Sequence, residues 1–423
     1  MSDRSTTRPT DDGRHGQSNL GGSSVHLSWP AAGIVFAAAL IVRVIYLWQV
    51  ESLPFFHHPT GDAASYLAWA ERIGQGDFWG GEAFYQAPLY PYFLALIQWF
   101  IGPSLFALRL VQALTGASSC VFVFVAASRL VSSRAGLAAG VLLALYPPAI
   151  FYDGLIQKTS LALLLLSALL AVLAGLQARS RWSGYLGAGV LMGLLGLTRE
   201  NALVLAVVVL AWLWLGPRID VNDRARFGAT NAMRRPLPHG RGSDKRDRIA
   251  HGRFRSRARN SAAFIVGIAL ILLPVALRNH AVGGEFTLTT VQMGPNFYIG
   301  NHDGATGRYI ALQPGHESPP FERQDAKRLA QRALGRSLSD GEVSRYWLDQ
   351  SFDYIREQPI DWMVLLATKW MLVWNAYEIP DVESYAIYGQ WSSLLAALGT
   401  VFHFGVLCPL AVLGLILGWS YRG

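Results

Sequence analysis

The sequence predicts an all-α polytopic membrane protein, and three observations predict it. Hydrophobic residues fill 52% of the 423 positions and charged residues only 15%, where a typical soluble domain carries about 25% charged residues. Mean hydropathy is positive. Apolar runs of spanning length recur along the chain, since a helix needs roughly 20 residues, at about 1.5 Å each, to cross a core of about 30 Å.

Taken in order, residues 1–28 are polar and Gly/Ser-rich with no apolar core, which predicts a disordered tail rather than a signal peptide. Arg4, Arg8 and Arg14 place it on the cytoplasmic side. The first span is expected over Pro30–Gln49. Residues 50–103 form a first outer loop, with an amphipathic helix at 63–73 and a shorter apolar helix, PLYPYFLALIQWFIG, at 88–102. Further apolar segments lie near 104–128, 135–151, 157–176, 184–197, 201–216 and 261–278, completing a transmembrane catalytic module over 29–278. The polar stretch 279–360 reads as a small periplasmic domain with strand-like FTLTTV at 286–291 and two amphipathic helices. Ser339 followed by Glu342 signs the start of the second helix as a capping box, and Gln358-Pro359 marks its exit. Segments 361–377 and 392–420 are expected as C-terminal membrane helices within 361–423, with the side of residues 378–391 left open.

The net charge of +8 invites a nucleic-acid reading, but 13 of the 36 basic residues fall in one loop, 217–260. Cytoplasmic loops of membrane proteins collect Lys and Arg, so this loop is first an orientation signal; it is expected to be solvated, disordered and attracted to anionic lipid. The same rule decides helix 88–102. If it does not cross, the loops holding Arg129 and Arg134, Arg179 and Arg181, and the 217–260 block all fall inside. It is therefore placed at the outer interface, where Tyr90, Tyr92 and Trp99 suit the headgroup zone. Cys120 and Cys408 both sit in apolar runs, so no disulfide framework and no Cys-based zinc signature is present in the sequence.

The outer side then gathers charged residues of unlike roles. Asp62 begins the 63–73 helix, with Tyr66 at i+4 and Trp69 at i+7 on the same face. Asp153 and Lys158 lie in the turn YDGLIQKTS, and Arg199, Glu200 and Asn201 in LTREN. An acid able to take a proton, beside cations able to hold a phosphate, suits group transfer from a lipid-phosphate donor. The acid activates the acceptor nucleophile and the cations stabilise charge on the departing phosphate.

Plainer readings stand beside these. Asp62 before Ala-Ala-Ser is also a good helix N-cap. Lys158 and Arg199 at span ends resemble snorkelling anchors, and Arg43 and Arg109, within apolar segments, are expected to snorkel. His57-His58 and GNHDG (300–304) read as loop and turn rather than metal sites, so no cofactor is indicated. The chain carries no P-loop and no G-x-S-x-G, which disfavours an NTP-driven pump and a serine hydrolase.

An ordered set of motifs adds to this: IVRVIYLW, GDAASYLAWAERIGQGDF, FYQAPLYPYFLALI, ALRLVQALTGA, ALYPPAIFYDGLIQK, GLLGLTREN, and RNHAVGGEFTL with NFYIGN. The set resembles a bacterial member of the dolichyl-phosphate-mannose-protein mannosyltransferase family, glycosyltransferase family 39, in the GT-C fold, over roughly residues 30–310. The resemblance implies a lipid-linked sugar transferase of the inner membrane with its active site facing the periplasm and membrane-parallel helices framing that site. Asp62 matches the family's first-loop acid, Asp153 its second acidic position, and Arg199 the basic residue of its LTK/LTR-type turn. The chain departs from the pattern in having one aspartate where eukaryotic members carry two acids. It also has Gln86-Ala87-Pro88 where related aminoarabinose transferases carry Lys before the Pro, and Lys158 could supply that phosphate contact.

The expectation is thus an integral-membrane glycosyltransferase, inverting because no second carboxylate stands as a covalent nucleophile. It moves a sugar from a polyprenyl-phosphate donor to a protein, lipid or glycan acceptor. Asp62 is the expected catalytic base, and Asp153, Lys158, Arg199, Asn201, Tyr66 and Tyr90 are the expected substrate-binding residues. A transporter or flippase of lipid-linked sugars is the alternative; it predicts paired ionisable residues at the midplane and internal repeats, which the sequence does not display.

Overall fold

The computed structural model describes residues 28–178, 180–216, 242–380 and 382–420. The expected tail and the 217–241 part of the basic loop lie outside them. Every regular element among the described residues is a helix. The first is α1, Trp29–Val50, which opens on the Ser28 hydroxyl, an acceptor for Ala31 N at 3.4 Å, with Pro30 in its first turn. The short α2 (Pro54–His57), α3 (Gly61–Gly74) and α4 (Leu89–Ile101) follow before the long α5, Leu105–Leu130.

Next come α6 (Ser133–Ala144) and α7 (Pro147–Gly154), bent by 52° relative to each other. The bend has a local cause. Pro147 and Pro148 supply no N–H and push Tyr146 into extended backbone (φ −74°, ψ 110°), which ends α6 and restarts the helix at a new angle. Beyond them lie α8 (Thr159–Ala178), α9 (Trp182–Gly196), a 3₁₀ turn at Glu200–Leu203, α10 (Val204–Leu215) and α11 (Gly242–Gly283). Residues 242–260, expected as disordered loop, are the start of α11; the apolar stretch Phe254–Gly283 behind them propagates the helix backwards. Close packing joins α9 to α11. A Cβ on Gly189 would lie 2.0 Å from Phe264 O, so only glycine lets the two backbones meet there.

Five stretches are long and apolar enough to cross a membrane: α1, α5, Thr159–Gln177 in α8, Phe254–Gly283 in α11, and Ser393–Gly418; α6 with α7 makes a sixth if that broken pair is one span. The chain is a multi-pass membrane protein. Alternation along the bundle brings the ends of α1, α7, α9 and α11, and the starts of α5, α8 and α10, to one end. Helix α4 stays at that end. Its Leu89 N donates to Leu197 O beyond α9 (3.1 Å), and it leads through Ser104 straight into α5.

The polar region that follows forms α12 (Met293–Gly300), α13 (Pro319–Leu334) and α14 (Asp340–Glu357), the last opened by the expected Ser339/Glu342 capping box. The strand expected at 286–291 does not form. No partner strand is present among the described residues, and the side-chain amide of Asn279 takes over the segment's carbonyls, donating to Thr287 O (3.1 Å) and Thr289 O (3.0 Å).

Helix α15 (Pro359–Val373) lies on this outer region: Trp362 Nε1 donates to Asn301 Oδ1 (3.1 Å) and Lys369 Nζ to Gly300 O (2.5 Å). Residues 382–391 lie at the same end of the bundle. Tyr385 and Tyr388, both in α16 (Tyr385–Trp391), pack edge-on against Phe151, and Gln49 at the end of α1 bonds Ser392 (2.6 Å) and Ser393 (3.1 Å) at the start of α17 (Ser393–Gly399). Both ends of α15 are therefore on one side. Its exposed apolar side chains, Ile360, Met363, Val364, Leu366, Trp370, Met371 and Val373, suit contact with lipid. The last helix, α18 (Phe404–Ser420), is apolar.

Candidate functional site

At the shared end of the bundle four segments converge around Asp62. The first is α3, which carries Asp62 in its opening turn. Thr60, not Asp62, occupies the N-cap position, and no side chain caps the helix there. The capping reading of Asp62 is thereby replaced: its Oδ1 accepts a 3.1 Å hydrogen bond from Gln86 Nε2. The second segment is the loop before α4, which delivers Gln86 and is fixed by Leu89 N to Leu197 O. The third is the turn between α7 and α8, which delivers Lys158. The fourth is the turn after α9, which delivers Arg199 and Glu200.

Lys158 sits deep enough that burial lowers its ammonium below the ordinary lysine range, with Arg199 pushing the same way. Glu200 and Asp62 act against that and favour the charged form. Charge reaching Lys158 from both carboxylates and from Arg199 places all four groups in one electrostatic neighbourhood. Arg199 is braced by Thr159 Oγ1, to which its Nη2 donates at 2.8 Å. Glu200 Oε1 is held by Thr290 Oγ1 and Gln292 Nε2, both at 3.0 Å, so the segment before α12 closes one side of the site. Tyr66, one turn beyond Asp62, is buried with its ring edge-on to Tyr90 at 5.2 Å, and the Tyr90 hydroxyl donates to Gln112 Oε1. Tyr66 thus links Asp62's helix to Tyr90 of α4.

A cleft of about 1020 Å³ reaches this assembly from outside. It runs between α3 (Ser65, Ala68, Trp69, Arg72), the loop from Asp77 to Gln86, and the start of α13 (Pro319, Pro320, Arg323). Gln86, the residue that bonds Asp62, is among its lining residues.

Asp153 is placed elsewhere. The last turn of α7 carries it into the bundle, where its Oδ2 meets Arg43 Nε of α1 at 2.6 Å with both side chains at most 2% exposed. Gly116 of α5 makes room, since a Cβ there would fall 1.8 Å from Asp153 Oδ2. The expectation that Asp153 lines the site with Asp62 is corrected: an isolated carboxylate in an apolar bundle is costly, and the arginine late in α1 neutralises it. Arg43 and Arg109 do not snorkel, for the same reason. Arg109 lies over the Phe56 ring at 3.9 Å and donates from Nε to Gly154 O at 2.8 Å, while Gln112 Nε2 donates to Asp153 O at 3.1 Å. Together they satisfy the carbonyls at the end of α7, where the helix dipole favours a cation. Asn201 is exposed in the 3₁₀ turn. Among the described residues no group of three or more His, Cys, Asp or Glu side chains is placed to hold a metal ion.

This layout of membrane helices, a short apolar α4 and a charged cluster at one end stands beside a direct comparison. Residues 85–225 match the model of the dolichyl-phosphate-mannose-protein mannosyltransferase family. The match supports a membrane glycosyltransferase. The matched segment holds Gln86, Tyr90, Asp153, Lys158 and Arg199, and leaves Asp62 and the whole outer region outside it. No curated protein matches the chain.

Sequence reasoning placed Asp62, Lys158, Arg199 and Tyr66 in this neighbourhood and missed two contributors. Gln86 had been noticed only as the residue standing where a lysine was expected. Glu322, in the first turn of α13, accepts from Tyr85 Oη at 2.9 Å and Tyr309 Oη at 3.2 Å beside the same loop. Nothing in a polar helix 260 positions downstream of Asp62 gave a signal for it.

Proposed function

We propose that the protein transfers a sugar from a polyprenyl-phosphate donor to a hydroxyl-bearing acceptor, at the membrane face where Asp62 lies, which the bias of basic loops makes the periplasmic face of a bacterial inner membrane. The observation that carries this is the grouping of one oriented carboxylate, Asp62, with the partly buried ammonium of Lys158 and the braced guanidinium of Arg199. The family match supports the donor class and, by its description, a protein acceptor.

Asp62 accepts the proton of the acceptor hydroxyl as its oxygen attacks the anomeric carbon. The bond from that carbon to the phosphate oxygen breaks, and the polyprenyl phosphate leaves with the electron pair. Lys158 and Arg199 stabilise the charge that grows on the phosphate. General-base help of this kind contributes roughly 10²- to 10⁴-fold. Direct displacement inverts the anomeric configuration. The lipid chain of the donor comes from the membrane side, and the cleft that Gln86 helps to line is the approach assigned to the acceptor. Tyr66 links the helix of Asp62 to Tyr90 of α4, and Asp153 serves the bundle through Arg43. Mixing purified protein in lipid nanodiscs with synthetic polyprenyl-phosphate mannose and a panel of peptide and glycan acceptors tests the reading. Release of polyprenyl phosphate that depends on an acceptor supports it, and donor left intact with every acceptor class argues against it.

A further inference from the structure

Glu322 is a partly buried carboxylate that the transfer chemistry above does not use. It comes from the outer region, outside the family-matched segment. Its two oxygens are taken by two phenols, Tyr85 and Tyr309, and it forms no ion pair among the described residues. The neighbouring Arg323 turns away to Glu82 (2.5 Å) and Asp340 (2.6 Å). Tyr85 is the residue immediately before Gln86. Two hydrogen bonds on adjacent residues therefore link the carboxylates: Glu322 to Tyr85 at 2.9 Å and Gln86 to Asp62 at 3.1 Å.

We propose that Glu322 is a positioning residue for Asp62. It pins the Tyr85–Gln86 step so that the Gln86 amide meets Asp62, and its charge makes Asp62 a stronger proton acceptor. The inference rests on the reading of Asp62 as the base. A second negative charge close to a carboxylate favours the protonated form of the first, because two like charges in one partly buried space repel. The same effect acts in return: burial and, more weakly, the charge of Asp62 push the Glu322 carboxyl above the ordinary glutamate range, against the two phenol hydrogen bonds. Other titratable and charged groups also face this pair. Lys158, Arg199 and Glu200 approach Asp62 from the two turns, and Tyr66 from its own helix. Tyr85 and Tyr309 face Glu322.

The test reads the protonation of Asp62 itself by infrared difference titration, as the carboxyl signal lost in Asp62→Asn, in the full-length protein in nanodiscs. Glu322→Gln keeps an oxygen for the tyrosines and removes the charge, so the Asp62 signal should titrate about one pH unit lower. Glu322→Asp keeps the charge and should leave the titration near that of the parent. Glu357→Gln, at the exposed end of α14, is the remote-charge control and should move nothing. Should the amide variant fail to fold, Glu322→Ser repeats the charge removal. The proposal is overturned if the neutral variants titrate with the parent, or if Glu322→Asp shifts as far as they do. The acidic limb of kcat/KM for polyprenyl-phosphate mannose should follow the infrared shift. A shift in titration with no transfer activity in the parent would keep the coupling and remove only the enzymatic reading.

Discussion

Gln86 Nε2 meets Asp62 Oδ1 at 3.1 Å, joining the loop before α4 to the first turn of α3. The amide N–H donates to that oxygen, so the contact helps to fix the carboxylate's orientation. A hydrogen bond to a charged group contributes roughly 1.5–3 kcal/mol. If that orientation matters in the transition state, Gln86→Ala lowers kcat/KM by roughly 10- to 100-fold with little change in thermal stability. Steady-state kinetics beside a melting curve checks this; a variant with parental kinetics would show the contact to be idle.

Lys158 gives a pH dependence with a defined sign. Its ammonium is lowered by burial, and it holds its charge only below that lowered value. Phosphate stabilisation is therefore complete at low pH and is lost as pH rises through it, so activity should fall on an alkaline limb that begins below the ordinary lysine range. In Lys158→Arg the guanidinium stays charged, and the limb should move to higher pH even if the maximum rate drops. A limb unchanged by this substitution would assign it to another group.

The Arg43–Asp153 pair concerns stability rather than chemistry. Removing one partner leaves the other charge buried and uncompensated, which costs about 3–5 kcal/mol. Arg43→Met and Asp153→Asn should each lower the unfolding temperature in detergent sharply, and the double variant Arg43→Met with Asp153→Leu should recover much of the loss. Donor consumption per folded molecule should stay near the parent in the recovered double variant. If the double variant is as unstable as the worse single one, the pair is not the source of the cost.

Much of the helical architecture was legible from apolar run lengths. Basic residues in alternate loops led to α4 as a helix that does not cross, the reading that its contacts with Leu197 and α5 support. The sites that escaped are those where tertiary contacts override local pattern. FTLTTV alternates like a strand, yet Asn279 supplies the hydrogen bonds that a neighbouring strand would have given. Asp153 has the spacing of an outer-turn acid, but the bend at Pro147-Pro148 carries it inward to Arg43. Arg109 has no partner in sequence because its partners are the carbonyl of Gly154 and the ring of Phe56. Gln86 and Glu322 reach Asp62 through chain segments that no periodicity connects.

The central claim is that Asp62 takes the acceptor's proton, and the most direct measurement is acceptor-dependent release of polyprenyl phosphate by Asp62→Asn. Asparagine keeps the shape and an oxygen for Gln86 while removing the basic carboxylate. The account predicts a fall in kcat of roughly 10²-fold or more, with the melting temperature and donor binding retained. A variant that turns over within a fewfold of the parent would contradict it.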